Sequence, residues 1–144
     1  MRSPITYFGG KGGMYNKILS YFPANNIYNT YIEPFGGSFC LGFHKHPSPI
    51  EIYNDLEKNV YTFFKVLSQK ETFEELKAKL DLVLHCDDLR CEYKESLRND
   101  DLSPVERAYR FFYVNRTSRC AGDGGVKVSL VVRRGMSKPI SDFL

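Results

Sequence analysis

Residues 31–40 read YIEPFGGSFC: a β-prone run that ends in an acid, two adjacent glycines, and the entry to a helical stretch. Tyr31 and Ile32 suit a strand, Gly36–Gly37 a sharp turn, and SFCLGFH at 38–44 a short helix. Working outward, NTYIE at 29–33 is the first strand and IEIY at 50–53 a second. LEKNVYTFFKVLSQ then places Leu56, Val60, Phe63, Phe64 and Leu67 at helical spacings of three and four. Upstream, MYNKILSYF puts Met14, Ile18 and Tyr21 on one helical face. Strand, helix, strand, helix implies a βαβ unit with parallel strands. The expected fold class is therefore α/β, a partial doubly wound, Rossmann-like sheet.

The turn poses a question about its ligand. A strand, a glycine turn and a helix N-terminus, followed about twenty residues later by a second strand ending in an acid, is the layout of a nucleotide-type site. The second acid is Asp55, whose carboxylate can accept two hydrogen bonds from a ribose diol. Glu33, at the end of the first strand, would repel a pyrophosphate and suits the ammonium of an amino acid. The blander alternative stands beside this one: Gly36 and Gly37 form an ordinary turn, and Asp55 caps a helix beginning at Leu56.

Residues from about 70 to 117 read as helical throughout. Thr72 with Glu75 has the form of a capping box that would start a helix running to about Leu84. Ser103, Pro104 and Glu106 mark a second start, with proline in the first helical position. AGDGG at 121–125 reads as a turn and VKVSLVV at 126–132 as a strand.

A chain of 144 residues with 42% hydrophobic content can build one core. No run approaches a membrane span, and the N-terminal MRSPITYFGG lacks a signal peptide's apolar core, so a cytoplasmic protein is expected. Cys40, Cys86, Cys91 and Cys120 match no zinc-site spacing and are expected to be reduced, structural thiols; His44, His46 and His85 look incidental. Net charge is +3, but residues 71–100 carry a balance of −4 and residues 101–144 a balance of +4. The basic final third permits a nucleic-acid partner and is also compatible with an ordinary solvated surface.

YFGGK at 7–11, YIEPFGGS at 31–38 and IEIYNDLEKNVYTFFKVL at 50–67, in this order and spacing, resemble the N-terminal half of the Dam-type DNA adenine methyltransferases. RFFYVNRTS at 110–118 resembles the helix and loop that follow in that family. The resemblance implies that residues 1–68 are the cofactor-binding half and residues 69–144 a helical and hairpin target-recognition insert. It implies S-adenosylmethionine as cofactor, with Tyr7, Gly9, Gly10 and Lys11 lining its pocket, Glu33, Pro34, Phe35, Gly36, Gly37 and Ser38 forming the floor, and Asp55 holding the ribose hydroxyls. Double-stranded DNA is the implied partner, with Asn115, Arg116 and Arg119 as candidate phosphate or base-edge contacts and Lys127, Arg133 and Arg134 beside them.

Two departures from the family pattern carry expectations. The glycine motif usually runs Phe-x-Gly-x-Gly, but Phe39 occupies the place of the last glycine and is expected to crowd the methionine moiety. The motif Asp/Asn-Pro-Pro-Tyr, which cradles the flipped adenine, is absent, since the sequence contains no adjacent prolines. The chain thus reads as a site-specific adenine methyltransferase cut off before its catalytic strand, with no catalytic residue of its own; the alternative is a non-catalytic DNA- or cofactor-binding remnant. An unrelated nucleotide-binding α/β protein is the third, weaker reading. A sheet stopping after two strands would leave an unpaired edge, and self-association is expected there or through Phe63 and Phe64.

Overall fold

The computed structural model describes residues 3–24, 27–84 and 86–118. The elements run α1 (Tyr15–Leu19), β1 (Thr30–Glu33), α2 (Cys40–His44), β2 (Ile50–Tyr53), α3 (Lys58–Leu67), α4 (Lys70–Asp81), α5 (Asp87–Ser96) and α6 (Pro104–Thr117). The chain divides into two compact units, Met1–Lys58 and Asn59–Leu144.

In the first unit β1 and β2 pair in parallel, with Thr30 opposite Ile50 and Glu33 opposite Tyr53. Parallel strands need a crossover, and α2 supplies it. One face of the ribbon carries Ile32, Ile50 and Ile52, each about half exposed. On the other face Lys45, itself buried, reaches Glu51 and Ser48 Oγ and lies 4.4 Å over the Tyr31 ring. That ion pair ties the loop after α2 to β2 and holds the Glu51 carboxyl below its usual range, the Lys45 bond outweighing burial. The periodicity of α1 buries nothing: Met14 and Tyr21 are exposed and only Ile18 is half-buried.

The second unit is helical. Val60, Phe63 and Val66 of α3, Leu76 and Leu80 of α4, and Val105, Ala108, Phe112 and Tyr113 of α6 form its core. The Phe63 ring stacks on Phe112 at 5.1 Å and 10°. Helix α3 begins two residues later than the sequence suggests, leaving Leu56 88% exposed, because the chain is still turning at Asp55, which accepts the Glu57 N–H. With Phe63 fully buried and Phe64 half-buried, the aromatic patch expected on this helix is covered. The start of α4 also differs. It begins at Lys70, and the Thr72 hydroxyl donates back to the carbonyls of Val66 (2.7 Å) and Gln69 (3.1 Å) instead of capping. Helix α6 begins as expected: Ser103 Oγ accepts the Glu106 N–H and Pro104 occupies the first position.

Buried polar groups in this unit bind the loops to α6. Arg107, 3% exposed, donates to Asn59 Oδ1, Leu97 O and Asn99 O. Tyr113 Oη donates to Leu84 O and accepts the Cys86 N–H at 2.9 Å, joining the α4–α5 connection to the core. Among the described residues no helix is long and apolar enough to cross a membrane.

Candidate functional site

The segment Tyr7–Gly10 is a tight turn closed by the Gly10 N–H on Tyr7 O at 3.0 Å. Gly9 has φ +74 at the third position, the conformation that type II turns require and that favours glycine. Gly10 is tight for a side chain, since a Cβ would stand 3.0 Å from Tyr7 O. Ser3 Oγ donates to Ser38 O at 2.6 Å and joins this N-terminal segment to the second glycine turn.

That turn is an extension of the sheet ladder. Asn54 N–H donates to Glu33 O and Gly36 N–H to Asn54 O, each at 2.9 Å, after which Phe39 N–H closes on Gly36 O at 2.8 Å. A Cβ on Gly36 would fall 2.1 Å from the Tyr53 ring. Gly37, at φ +49, would place one 2.8 Å from the Tyr7 ring. The Gly37 N–H donates to Asp55 Oδ2 at 2.7 Å, and the Gly37 carbonyl accepts from Tyr53 Oη at 2.9 Å.

A cleft of about 590 Å³ opens beside these turns, lined by Ser3, Ile5, Tyr7, Gly10, Ser38, Cys40 and His44 among others. Of the residues singled out as cofactor contacts, Tyr7, Gly10 and Ser38 face it. Asp55 and Gly37 do not line it; Asp55 Oδ2 accepts the N–H of Gly37, which precedes the lining residue Ser38, and its other oxygen accepts the Glu57 N–H at 2.9 Å. Burial, then the Asp55 and Glu57 carboxylates, push the Tyr7 phenol up. Lys11 is exposed and its Nζ donates to Gly9 O at 2.8 Å. Pro34 and Phe35 are exposed. Glu33 is engaged within the fold: its Oε1 accepts the Tyr31 hydroxyl and, at 2.9 Å, the Gly42 N–H. Burial raises its pKa against the lowering by those bonds.

Compared with known proteins, residues 7–119 match the D12 class N6 adenine-specific DNA methyltransferases. The chain belongs to that family. It is also 27% identical over 84 residues to the modification methylase StsI of Streptococcus sanguinis, an alignment covering 56% of this chain. The chain spans 12% of the length of that curated relative.

Phe39 is where this D12 methyltransferase chain departs from the glycine pattern, and the backbone registers it. Phe39 is the one non-glycine described with a positive φ, +53, in the left-handed region. Its ring does not line the cleft. It lies across Gly42, where a Cβ would be 2.2 Å from the ring, and meets Phe43 and Tyr53 edge-on at 5.3 and 5.2 Å. The absent side chain of Gly42 makes the space that the ring fills. Phe39→Gly would relieve about 1–2 kcal/mol of backbone strain and forfeit about 3 kcal/mol of aromatic packing. A net loss of about 1–2 kcal/mol in urea unfolding is expected; a gain would mean that strain outweighs packing.

The candidate DNA contacts fall unevenly. Asn115 is buried on α6. Arg116, half-buried on the same helix, has its pKa lowered by burial. Arg119, Lys127, Arg133 and Arg134 lie outside the described residues, as do the AGDGG turn and the VKVSLVV strand. Cys40 is a buried free thiol, and Cys86 and Cys91 are exposed free thiols.

Sequence reasoning missed three residues around the turns. Tyr15 and His44 stack at 3.9 Å and both line the cleft. Tyr53 was the more accessible to reasoning, because strand alternation places residue 53 on the same side as Asp55.

Proposed function

We propose that this chain is the cofactor-binding half, with part of the target-recognition insert, of a site-specific DNA adenine methyltransferase, and that its cofactor is S-adenosylmethionine. The observation that carries the proposal is the meeting of the two glycine segments at Gly37. The Tyr7 ring of YFGGK rests on the Gly37 backbone of EPFGGS, and both segments wall one cleft. Its volume suits a ligand of nucleoside size. The donor set also fits. A carboxylate offers about four acceptor positions, and Gly37 and Glu57 occupy two of those of Asp55, leaving capacity for a ribose diol.

In this proposal Tyr7, Gly9, Gly10 and Lys11 lie along the cofactor, Glu33 through Ser38 form its floor, and Asp55 holds the ribose. The bound cofactor supplies an activated methyl group on a sulfonium. The parallel pair with its exposed isoleucine face is the first part of a doubly wound sheet. DNA approaches the helical part and the basic segment beyond it, with Arg116, Arg119, Lys127, Arg133 and Arg134 as phosphate contacts.

These 144 residues contain no Pro-Pro pair to position an adenine amine, so methyl transfer belongs to the whole protein. The expected result with the isolated 144-residue chain is no transfer of labelled methyl groups to DNA above a no-protein control. Transfer that disappears in Asp55→Ala would overturn this division of labour. The same absence favours one second reading, a non-catalytic binding remnant. Ultraviolet cross-linking of labelled S-adenosylmethionine tests the site itself: label is expected in peptides containing residues 7–11 or 33–38, and label confined elsewhere would contradict the assignment.

A further inference from the structure

The geometry points to Tyr53 as a positioning residue of the cofactor site, clamping Gly37 from the carbonyl side while Asp55 holds it from the N–H side. The two bonds come from the last residue of β2 and from the turn just after it. Tyr53 Oη donates to Gly37 O at 2.9 Å and Asp55 Oδ2 accepts Gly37 N–H at 2.7 Å. The two residues hold the two successive peptide units that flank the Gly37 α-carbon.

Gly37 needs such a grip. Its φ of +49 is one that glycine occupies without steric cost but also leaves freely, because it lacks the Cβ that would confine it. Gly36 beside it is equally unconfined by a side chain, and the Tyr53 ring fills the space where its Cβ would stand. The Tyr53 ring is itself braced edge-on by Phe39. A flexible diglycine is thus held in one conformation, beneath the Tyr7 ring and beside the cleft-lining Ser38. Burial, followed by the charges of Asp55 and the neighbouring Tyr7 and Glu33, keeps the Tyr53 phenol protonated, so it remains a donor. Asp55 consequently does two things: it shapes the turn, and in the proposed function it also contacts the ribose.

The inference rests on the S-adenosylmethionine reading only for its effect on affinity; the clamp is testable without ligand. Tyr53→Phe keeps the ring over Gly36 and removes only the hydroxyl. Amide hydrogen exchange by NMR on the 144-residue chain is expected to show the Gly37 and Ser38 N–H groups exchanging about three- to tenfold faster in Tyr53→Phe, the range of one lost hydrogen bond. Amides in α6 should be unchanged. Calorimetric titration with S-adenosylmethionine should show affinity reduced about three- to tenfold. Unchanged exchange at Gly37 would overturn the clamp. Faster exchange with unchanged affinity would leave a clamp that does not position the cofactor and would overturn the inference while the functional reading stands. Absence of binding by the unsubstituted chain would count against the functional reading, and the exchange result would still decide the clamp. If Tyr53→Phe fails to fold, Phe39→Leu, which withdraws the edge-on brace of the Tyr53 ring, is expected to speed Gly37 exchange in the same direction; no change would overturn the inference.

Discussion

Phe63→Ala is expected to lower the unfolding free energy of the helical unit by about 3–5 kcal/mol, a large part of the total stability of a domain this size. Phe63 has no exposed surface. Its ring stacks on Phe112 and meets Phe64 and Phe111 edge-on at 5.4 and 5.8 Å, so truncation leaves a cavity walled by stiff aromatic rings. Rings anchored on two helices cannot collapse into the space as aliphatic neighbours do. Loss of far-ultraviolet helical signal in urea measures the effect. A cost below about 1 kcal/mol would mean that α3 does not pack into this core as described.

Asp55→Ala is expected to act on fold and ligand together. The alanine removes the acceptor for the Gly37 and Glu57 N–H groups. Because Gly37 is buried, its donor is left unsatisfied at a cost of about 1–3 kcal/mol. In addition, loss of the two charge-assisted ribose bonds proposed for Asp55 should weaken S-adenosylmethionine binding by about 1.5–3 kcal/mol, on the order of 10- to 150-fold. Asp55→Asn, which keeps one carbonyl oxygen, should recover part of the stability and less of the affinity. Denaturant titration and calorimetry on the same preparations separate the two effects. An unchanged affinity in Asp55→Ala would leave the carboxylate as a turn acceptor and nothing more.

The parallel pairing of β1 and β2 was legible because IEIY and TYIE are short β-prone runs separated by a helical stretch, and chain order alone makes such strands parallel. The start of α6 was legible for a similarly local reason: Ser103 and Pro104 act within one turn of themselves. Thr72 and Glu75 carried an equally good local signal that failed. The carbonyls of Val66 and Gln69 offered the hydroxyl of Thr72 better partners, and those depend on how α3 ends. Leu56 fell outside α3 because Asp55 holds the preceding turn, so the buried stripe is Val60, Phe63 and Val66.

At the candidate site the residue types were readable and their partners were not. Glu33 answers to Gly42, nine residues on, and Asp55 to Gly37, eighteen residues back. The first contact needs α2 folded back on the end of β1, and the second needs β1 and β2 paired. Phe39 was readable as an anomaly, but the direction of its ring was set by the missing side chain at Gly42.

The central claim is that the two glycine segments and Asp55 form an S-adenosylmethionine site. Its most direct test is calorimetric titration of the 144-residue chain with S-adenosylmethionine, with S-adenosylhomocysteine and NAD as comparisons. Saturable one-to-one binding of the first two and none of NAD is the predicted result; no heat with S-adenosylmethionine, or binding of NAD in its place, would contradict it.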